Sequence, residues 1–338
     1  MATIGACAAF GSICGSSLAT AATMTRVALP EMRRHDYHDS LATGALAAGG
    51  TLDILIPPSV VLVIYAVLTG QNIDRMFIAA LVPGVLAALG YMLAIRAHVA
   101  LNPASAPPAA RVPWRQRISG LIRIWPVVLI FTTVIGGIYA GVFTPTEGAV
   151  VGAAATGLLA WARGGLTGGA LREAIFETAS GTAMIFMIVL GAAAFNGFLA
   201  LTGLPMQAAD AIGGLDLPPV MILAAILLLY LVLGCIMDSL SMILLTVPIF
   251  YPLIMTLDFG MSPADTAIWF GILALVVEVG MITPPVGLNV FVINAMSGGT
   301  PMRDAFAGVI PFLVSDILRI ILLVAFPAIT LGLMRALY

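Results

Sequence analysis

Two proline pairs constrain this chain more than any other feature. The first closes Thr51-Leu52-Asp53-Ile54-Leu55-Ile56-Pro57-Pro58-Ser59, and the second lies in Met281-Ile282-Thr283-Pro284-Pro285-Val286-Gly287, with Pro284 227 residues after Pro57. Each pair is followed by an apolar run, a short polar bend, another apolar stretch and a further proline: Pro83 is 25 residues after Pro58, and Pro311 is 26 after Pro285. A Pro-Pro pair deletes two backbone donors and breaks a helix. In lipid such a break is tolerated only where the freed backbone groups are buried in protein or line a cavity. Matching breaks in two halves of a membrane chain point to a transporter's binding site.

Composition places the breaks in a membrane. Of the 338 residues, 61% are hydrophobic and only 9% are charged, where a soluble domain carries about 25% charged residues. There is no lysine, and the net charge of −2 offers no basic stripe for nucleic acid. Cys7, Cys14 and Cys235 lie in apolar, glycine-rich sequence without metal-ligand spacing, so they read as small packing residues. The apolar segments run over 1–25, 41–70, 76–95, 121–142, 146–162, 174–201, 218–234, 239–257, 266–299 and 306–334. Strand alternation is missing from them and a span needs about 20 apolar residues, so the expected fold is an all-α integral membrane protein, a polytopic helix bundle.

Arginine placement sets the expected orientation. Arg26, Arg33 and Arg34 share one loop; Arg96, Arg111, Arg115, Arg117 and Arg123 flank the next; Arg163 and Arg172 bound a third; Arg303 lies in a fourth. The positive-inside rule puts these loops in the cytoplasm. The loops with Asp74, Asp210, Asp216, Asp258 and Asp265 then face outside. This works only if two segments are re-entrant hairpins. One has its tip near Gly15-Ser16-Ser17, and the other, over 218–257, has its tip near Gly234–Asp238. Each hairpin is followed by a broken span and a whole one, in opposite orientation, which is an inverted repeat. Residues 1–100 read as a first, incomplete repeat, 101–173 as a cytoplasmic linker with connecting scaffold helices, and 174–338 as the second repeat. The first half has only about 14 residues before Gly15, where the second has a further span, so an N-terminal truncation is expected.

Broken helices carry chemistry. The N-terminal end of each half-helix offers free N–H groups and positive dipole to an anion. Unwound carbonyls and C-terminal half-ends offer oxygen ligands to sodium. The hydroxyls of Ser16, Ser17, Thr20, Thr51, Ser59 and Thr283 are hard-oxygen ligands suited to sodium, and they compete with a plain packing role. Asp238 in the second tip and Glu278 before Pro284 are buried acids. Each either coordinates a cation or anchors a broken helix by accepting backbone N–H bonds, and Asp53 is open to the same readings. Glu147, after Thr144-Pro145-Thr146, reads as a helix N-terminal cap. Asp316 and Arg319, three apart, are expected to neutralise each other. His35, His38 and His98 lie in or near loops, away from the buried acids, and neither HExxH nor GxSxG occurs, so an enzyme is not expected.

At these residues the chain resembles the large membrane subunit of the tripartite ATP-independent periplasmic (TRAP) transporters, the DctM-like permeases. The resemblance rests on Gly15-Ser16-Ser17-Leu18-Ala19-Thr20-Ala21-Ala22-Thr23, Pro30-Glu31-Met32, Ala48-Gly49-Gly50-Thr51-Leu52, Ile54 to Ser59, Phe143-Thr144-Pro145-Thr146-Glu147, Gly234 to Asp238, and Glu278 to Asn289. It covers essentially the whole chain. It implies an elevator-type secondary transporter of the bacterial inner (cytoplasmic) membrane that imports an organic anion, a carboxylate, with sodium as coupling ion and no other cofactor. It implies two partners, a periplasmic substrate-binding protein and a small four-helix-type membrane subunit. By the same resemblance Ser16, Ser17, Pro57, Pro58, Ser59, Pro284, Pro285 and Asn289 frame the substrate. Gly15, Ser16, Thr20, Thr51, Gly234, Asp238, Glu278, Thr283 and Gly287 hold the cation. The runner-up readings are a stand-alone sodium/carboxylate symporter and a truncated, non-transporting remnant. One departure is Asp53, where the family usually has glycine; an extra carboxylate there either alters cation coupling or repels an anionic substrate.

Overall fold

The computed structural model describes residues 1–107, 113, 125–203, 207 and 217–338. Arg111, Arg115, Arg117, Arg123, Asp210, Gly213, Gly214 and Asp216 lie outside the described residues. The described residues are helical throughout, with no strand. Six helical segments among them are long and apolar enough to cross a membrane: Asp39–Thr69, Ile73–Leu101, Gly168–Thr202, Ser239–Thr256, Pro263–Ile282 and Met302–Ala325.

The chain divides into two compact units, one formed by Met1–Pro107 with Phe195–Tyr338 and the other by Pro108–Ala194. In the first, α1 (Ala2–Cys14) and α2 (Ser17–Arg34) form a helix–turn–helix. Gly15 ends α1 with φ 65°, a left-handed cap that glycine adopts without a Cβ penalty. Ser16 then caps α2 by accepting from the Ala19 N–H at 3.4 Å. α3 (Asp39–Leu55) and α4 (Val60–Thr69) flank the first proline pair, and α5 (Ile73–Leu101) follows. The second unit contains α6 (Trp125–Tyr139), α7 (Pro145–Ala162) and most of α8 (Gly168–Thr202). Here Thr144 and Glu147 form a reciprocal capping box at the start of α7, the N-terminal role expected of Glu147.

Back in the first unit, α9 (Pro219–Gly234) and α10 (Ser239–Thr256) form a second helix–turn–helix. Asp238 caps α10 by accepting from the N–H groups of Leu240 and Ser241 at 3.1 and 3.2 Å. α11 (Pro263–Val276) continues as a 3-10 segment over Val277–Ile282, and α12 (Leu288–Ser297) resumes after the second proline pair. α13 (Met302–Ala325) and α14 (Ala328–Leu337) close the chain.

The broken helices form the core of this unit. Every residue from Leu41 to Leu55 is buried, as is every residue from Thr266 to Ile282. A helix apolar on all sides belongs in such a place. Glycine lets neighbours come close: Gly44 of α3 meets the backbone of Gly308 of α13, and Gly49 meets Cys7 of α1. Leu89 and Leu93 of α5, and Ile317, Leu318 and Ile321 of α13, are instead exposed, as suits a surface facing lipid.

Two boundaries differ from the sequence reading. The stretch before Pro284 tightens from α to 3-10 over Val277–Ile282, where Gly280 packs so closely on α9 that a methyl there would lie 2.6 Å from the Gly234 carbonyl carbon. The last apolar stretch, read as one span over 306–334, is interrupted at Phe326-Pro327. Proline supplies no N–H and pushes its predecessor out of the helical region, here to φ −129° and ψ 77°.

Candidate functional site

The turn regions and the two breaks interlock. α2 packs against α3 and α12, α9 packs against the 3-10 segment, and α10 packs against α4. Each turn therefore brings a helix start onto a break. The first helical residue after the first turn, Ser17, is 4% exposed and donates to the Gly50 carbonyl at 2.9 Å. The Asn289 amide donates to the Ser17 hydroxyl at 2.9 Å and to the Ala47 carbonyl at 3.3 Å. Gly50 is closely surrounded here: a Cβ would lie 3.1 Å from both Ala21 Cβ and Asn289 Nδ2. The two Asn289 contacts join residues more than 230 positions apart.

The second turn does the corresponding thing. Ser239, the first residue of α10, donates to Glu278 Oε1 at 2.9 Å. The Gly287 N–H donates to the Cys235 carbonyl at 3.2 Å. Glu278 is 3% exposed and lies within electrostatic reach of Asp53, with Ser17 beside it. Asp53 is fully buried and has the Thr20 hydroxyl as its neighbour on α2.

The polar atoms at this junction are under-used. Thr20 Oγ1, both Asp53 carboxylate oxygens, Glu278 Oε2 and Asn289 Oδ1 are buried without a well-formed hydrogen bond, as is Ser59 Oγ just after the first proline pair. Buried polar groups are ordinarily bonded, so a group of such oxygens at one junction is a chemical signal. Hydroxyl, amide and carboxylate oxygens are the donor set a hard monovalent cation takes.

The structure thus brings together Ser17, Thr20, Gly234, Glu278, Gly287 and Asn289 around the turns and breaks. Other candidates use their side chains locally. Ser16 is exposed and serves as the cap of α2. The Asp238 carboxylate is taken up by the start of α10, with Ser241 Oγ also donating to it at 2.5 Å. Thr283 donates to the Val279 carbonyl at 2.7 Å. Thr51 donates to the Ala48 carbonyl at 2.8 Å and lies 3.0 Å from the Tyr91 hydroxyl. Pro57 is buried at the first break, whereas Pro284 and Pro285 are exposed, and Gly15 forms the first turn.

Two participants escaped sequence reasoning. Ser239 follows Asp238 as Ser17 follows Ser16, a parallel that alignment of the two turns would have exposed. Tyr91 gave no local signal. Its hydroxyl donates to Asp316 Oδ2 at 2.8 Å, and Asp316 pairs with Arg319 at 2.6 Å, so a polar chain runs from the first break to the expected ion pair on α13.

Comparison with known proteins gives a consistent family. The family model described as "Tripartite ATP-independent periplasmic transporter, DctM component" matches residues 1–329. The C4-dicarboxylate TRAP transporter large permease protein DctM of Pseudomonas aeruginosa is 33% identical over 329 residues, covering 97% of this chain and 75% of that protein. The sialic acid TRAP transporter large permease protein SiaM of Vibrio cholerae is 32% identical over 330 residues, 95% of this chain and 74% of that protein. The ectoine/5-hydroxyectoine TRAP transporter large permease protein UehC of Ruegeria pomeroyi is 31% identical over 341 residues, 97% and 75% of the two chains.

Proposed function

Because the chain belongs to the DctM component family of the tripartite ATP-independent periplasmic transporters, we propose that it is the permease of a secondary transporter importing an organic anion together with sodium. The family is one of transporter permeases rather than enzymes, and the chain is a multi-pass membrane protein. The observation that carries the rest is the junction itself: two turns and two helix breaks meet around buried oxygens that make no well-formed hydrogen bond.

The substrate is a carboxylate. Two relatives are named for acids, a C4-dicarboxylate and sialic acid. The start of α12, just after Pro284-Pro285, offers amide groups and positive dipole to such an anion. Sodium is the coupling ion, held by the hydroxyl, carbonyl and carboxylate oxygens around Thr20, Glu278 and the two turns. A periplasmic binding protein delivers the anion, a small membrane subunit braces the permease, and the assembly sits in the bacterial inner membrane.

The architecture is an inverted repeat with two re-entrant hairpins, α1–α2 and α9–α10. Residues 1–100 form the first repeat, 101–173 the linker and scaffold, and 174–338 the second repeat. What supports this is reciprocal packing, with α2 against the post-break helix α12 and α10 against the post-break helix α4. α9, with 16 residues, is about 24 Å long and falls short of a bilayer core of about 30 Å. Since each hairpin is bonded or packed onto the other half's break, the site moves as one body. Elevator-type alternation suits that better than two opposed gates.

The test is thermal unfolding of the purified protein in sodium against potassium at equal ionic strength. A ligand at 100 times its dissociation constant stabilises by about 2.7 kcal/mol. A sodium-specific rise that disappears in Ser16→Ala/Ser17→Ala is expected. Identical curves in the two salts, from a folded protein, contradict sodium coupling. Uptake that proceeds without any soluble component would favour the stand-alone symporter instead.

A further inference from the structure

We propose that Asp53 is a ligand for a coupling sodium ion, in a site completed by Thr20 and Glu278. The proposal rests on the reading of the chain as a sodium-coupled permease and extends it by one charged ligand.

The two proline pairs supply a common frame. Six residues before the first proline stand Thr51 and Glu278; four before it stand Asp53 and Gly280. Each member of the second pair meets the first arm of its own helix–turn–helix: Gly280 lies against Gly234 of α9, and Asp53 against Gly11 of α1, where an added Cβ would lie 2.5 Å from Asp53 Cβ. The close approach is thus built the same way in both halves. In the first half, however, the position carries a carboxylate that the second half does without.

A structural anchor does not account for that carboxylate. Asp238 shows what an anchor looks like here, with two backbone N–H groups and the Ser241 hydroxyl donating to it. Asp53 is fully buried, and neither of its oxygens makes a well-formed hydrogen bond, although the Thr20 hydroxyl and the amides of Asp53 and Ile54 are nearby. Thr20 Oγ1 and Glu278 Oε2 are likewise buried and unpartnered. Three elements, α2, α3 and the 3-10 segment, therefore each present an unused hard oxygen at one junction.

Charge gives the second argument. When both are ionised, Asp53 and Glu278 repel each other across this junction, and an uncompensated buried anion is expensive. The thiol of Cys7, the other titratable group facing Asp53, supplies no positive charge. Arg319 acts on Glu278 but is engaged by Asp316 at 2.6 Å and lies over the Tyr91 ring. The chain has no lysine to help. A sodium ion shared by the two carboxylates, with the Thr20 hydroxyl as a neutral ligand, turns the repulsion into attraction and satisfies all three groups.

The experiment is a sodium titration of the unfolding midpoint at constant ionic strength, balanced with potassium and repeated at two pH values. The proteins are the wild type, Asp53→Asn, Asp53→Gly and Ser16→Ala/Ser17→Ala. Losing a charged ligand is expected to weaken sodium at least about tenfold, since even partners outside the ligand shell contribute that much. Asp53→Gly, which restores the residue type found at Gly280, keeps the test open if Asp53→Asn does not fold. A titration unchanged by the Asp53 substitutions but lost in the serine double variant overturns this proposal and leaves sodium coupling standing. No sodium response in the wild type overturns both. Stabilisation of the wild type by acid alone, equal in sodium and potassium and lost in Asp53→Asn, also overturns it.

Discussion

At the scale of single residues, Asn289 carries more than its position in a short helix suggests. Its amide joins the helix after the second break to the first turn through Ser17 and to α3 through the Ala47 carbonyl. Asn289→Ala should cost about 1–3 kcal/mol, the penalty for leaving buried partners unpaired, and should weaken the sodium response; paired denaturation curves with and without sodium check both. The Asp316–Arg319 pair was legible from spacing alone, because residues three apart on a helix face each other. Its extension to Tyr91 and Thr51 was not, since it depends on α3, α5 and α13 meeting in space. Asp316→Asn should cost about 3–5 kcal/mol by stranding a buried guanidinium. The double change Asp316→Leu/Arg319→Met should lose much less, and thermal unfolding of the two variants decides it.

At the scale of elements, glycine and proline made the sequence readable. Gly15 and the Gly234–Asp238 stretch mark the two turns, and both proline pairs mark the breaks, because each acts through its own backbone. The 3-10 tightening at Val277–Ile282 was invisible in the sequence, as was the tertiary contact of Gly280 with Gly234 within it. Pro327 was legible in principle, as proline stops a helix wherever it falls past the first turn, but the surrounding hydrophobicity masked it. Close helix crossing yields a sharp contrast. In Gly308→Ala the new methyl would run into the Ser40 carbonyl, a rigid backbone group. That variant should fail to yield folded protein, or lose several degrees in melting temperature. Gly332→Ala, with open space around it, should be neutral or gain about 0.5–1 kcal/mol from helix propensity. Size-exclusion profiles and melting curves of the pair make the comparison.

At the scale of the whole molecule, the class of the chain follows from its charge and hydropathy, and the family from the residues at the breaks. The partners of Asp53 did not follow, because the contacts that bring α1, α2 and the 3-10 segment to it are long-range. Energetics constrain the proposed transport cycle. Each positive charge moving inward gains about 2.3 kcal/mol per 100 mV of membrane potential. Import of a dianion therefore needs more than two sodium ions if the potential is to assist it, and uptake should rise when an inside-negative potential is imposed.

The most direct measurement is uptake of labelled carboxylates into proteoliposomes holding the chain with the proposed small membrane subunit, with the proposed binding protein outside. An inward sodium gradient should drive accumulation of an acid above its external concentration, while an equal potassium gradient should not. Equal uptake in the two gradients, or none of any acid from a protein that unfolds cooperatively, would contradict the account.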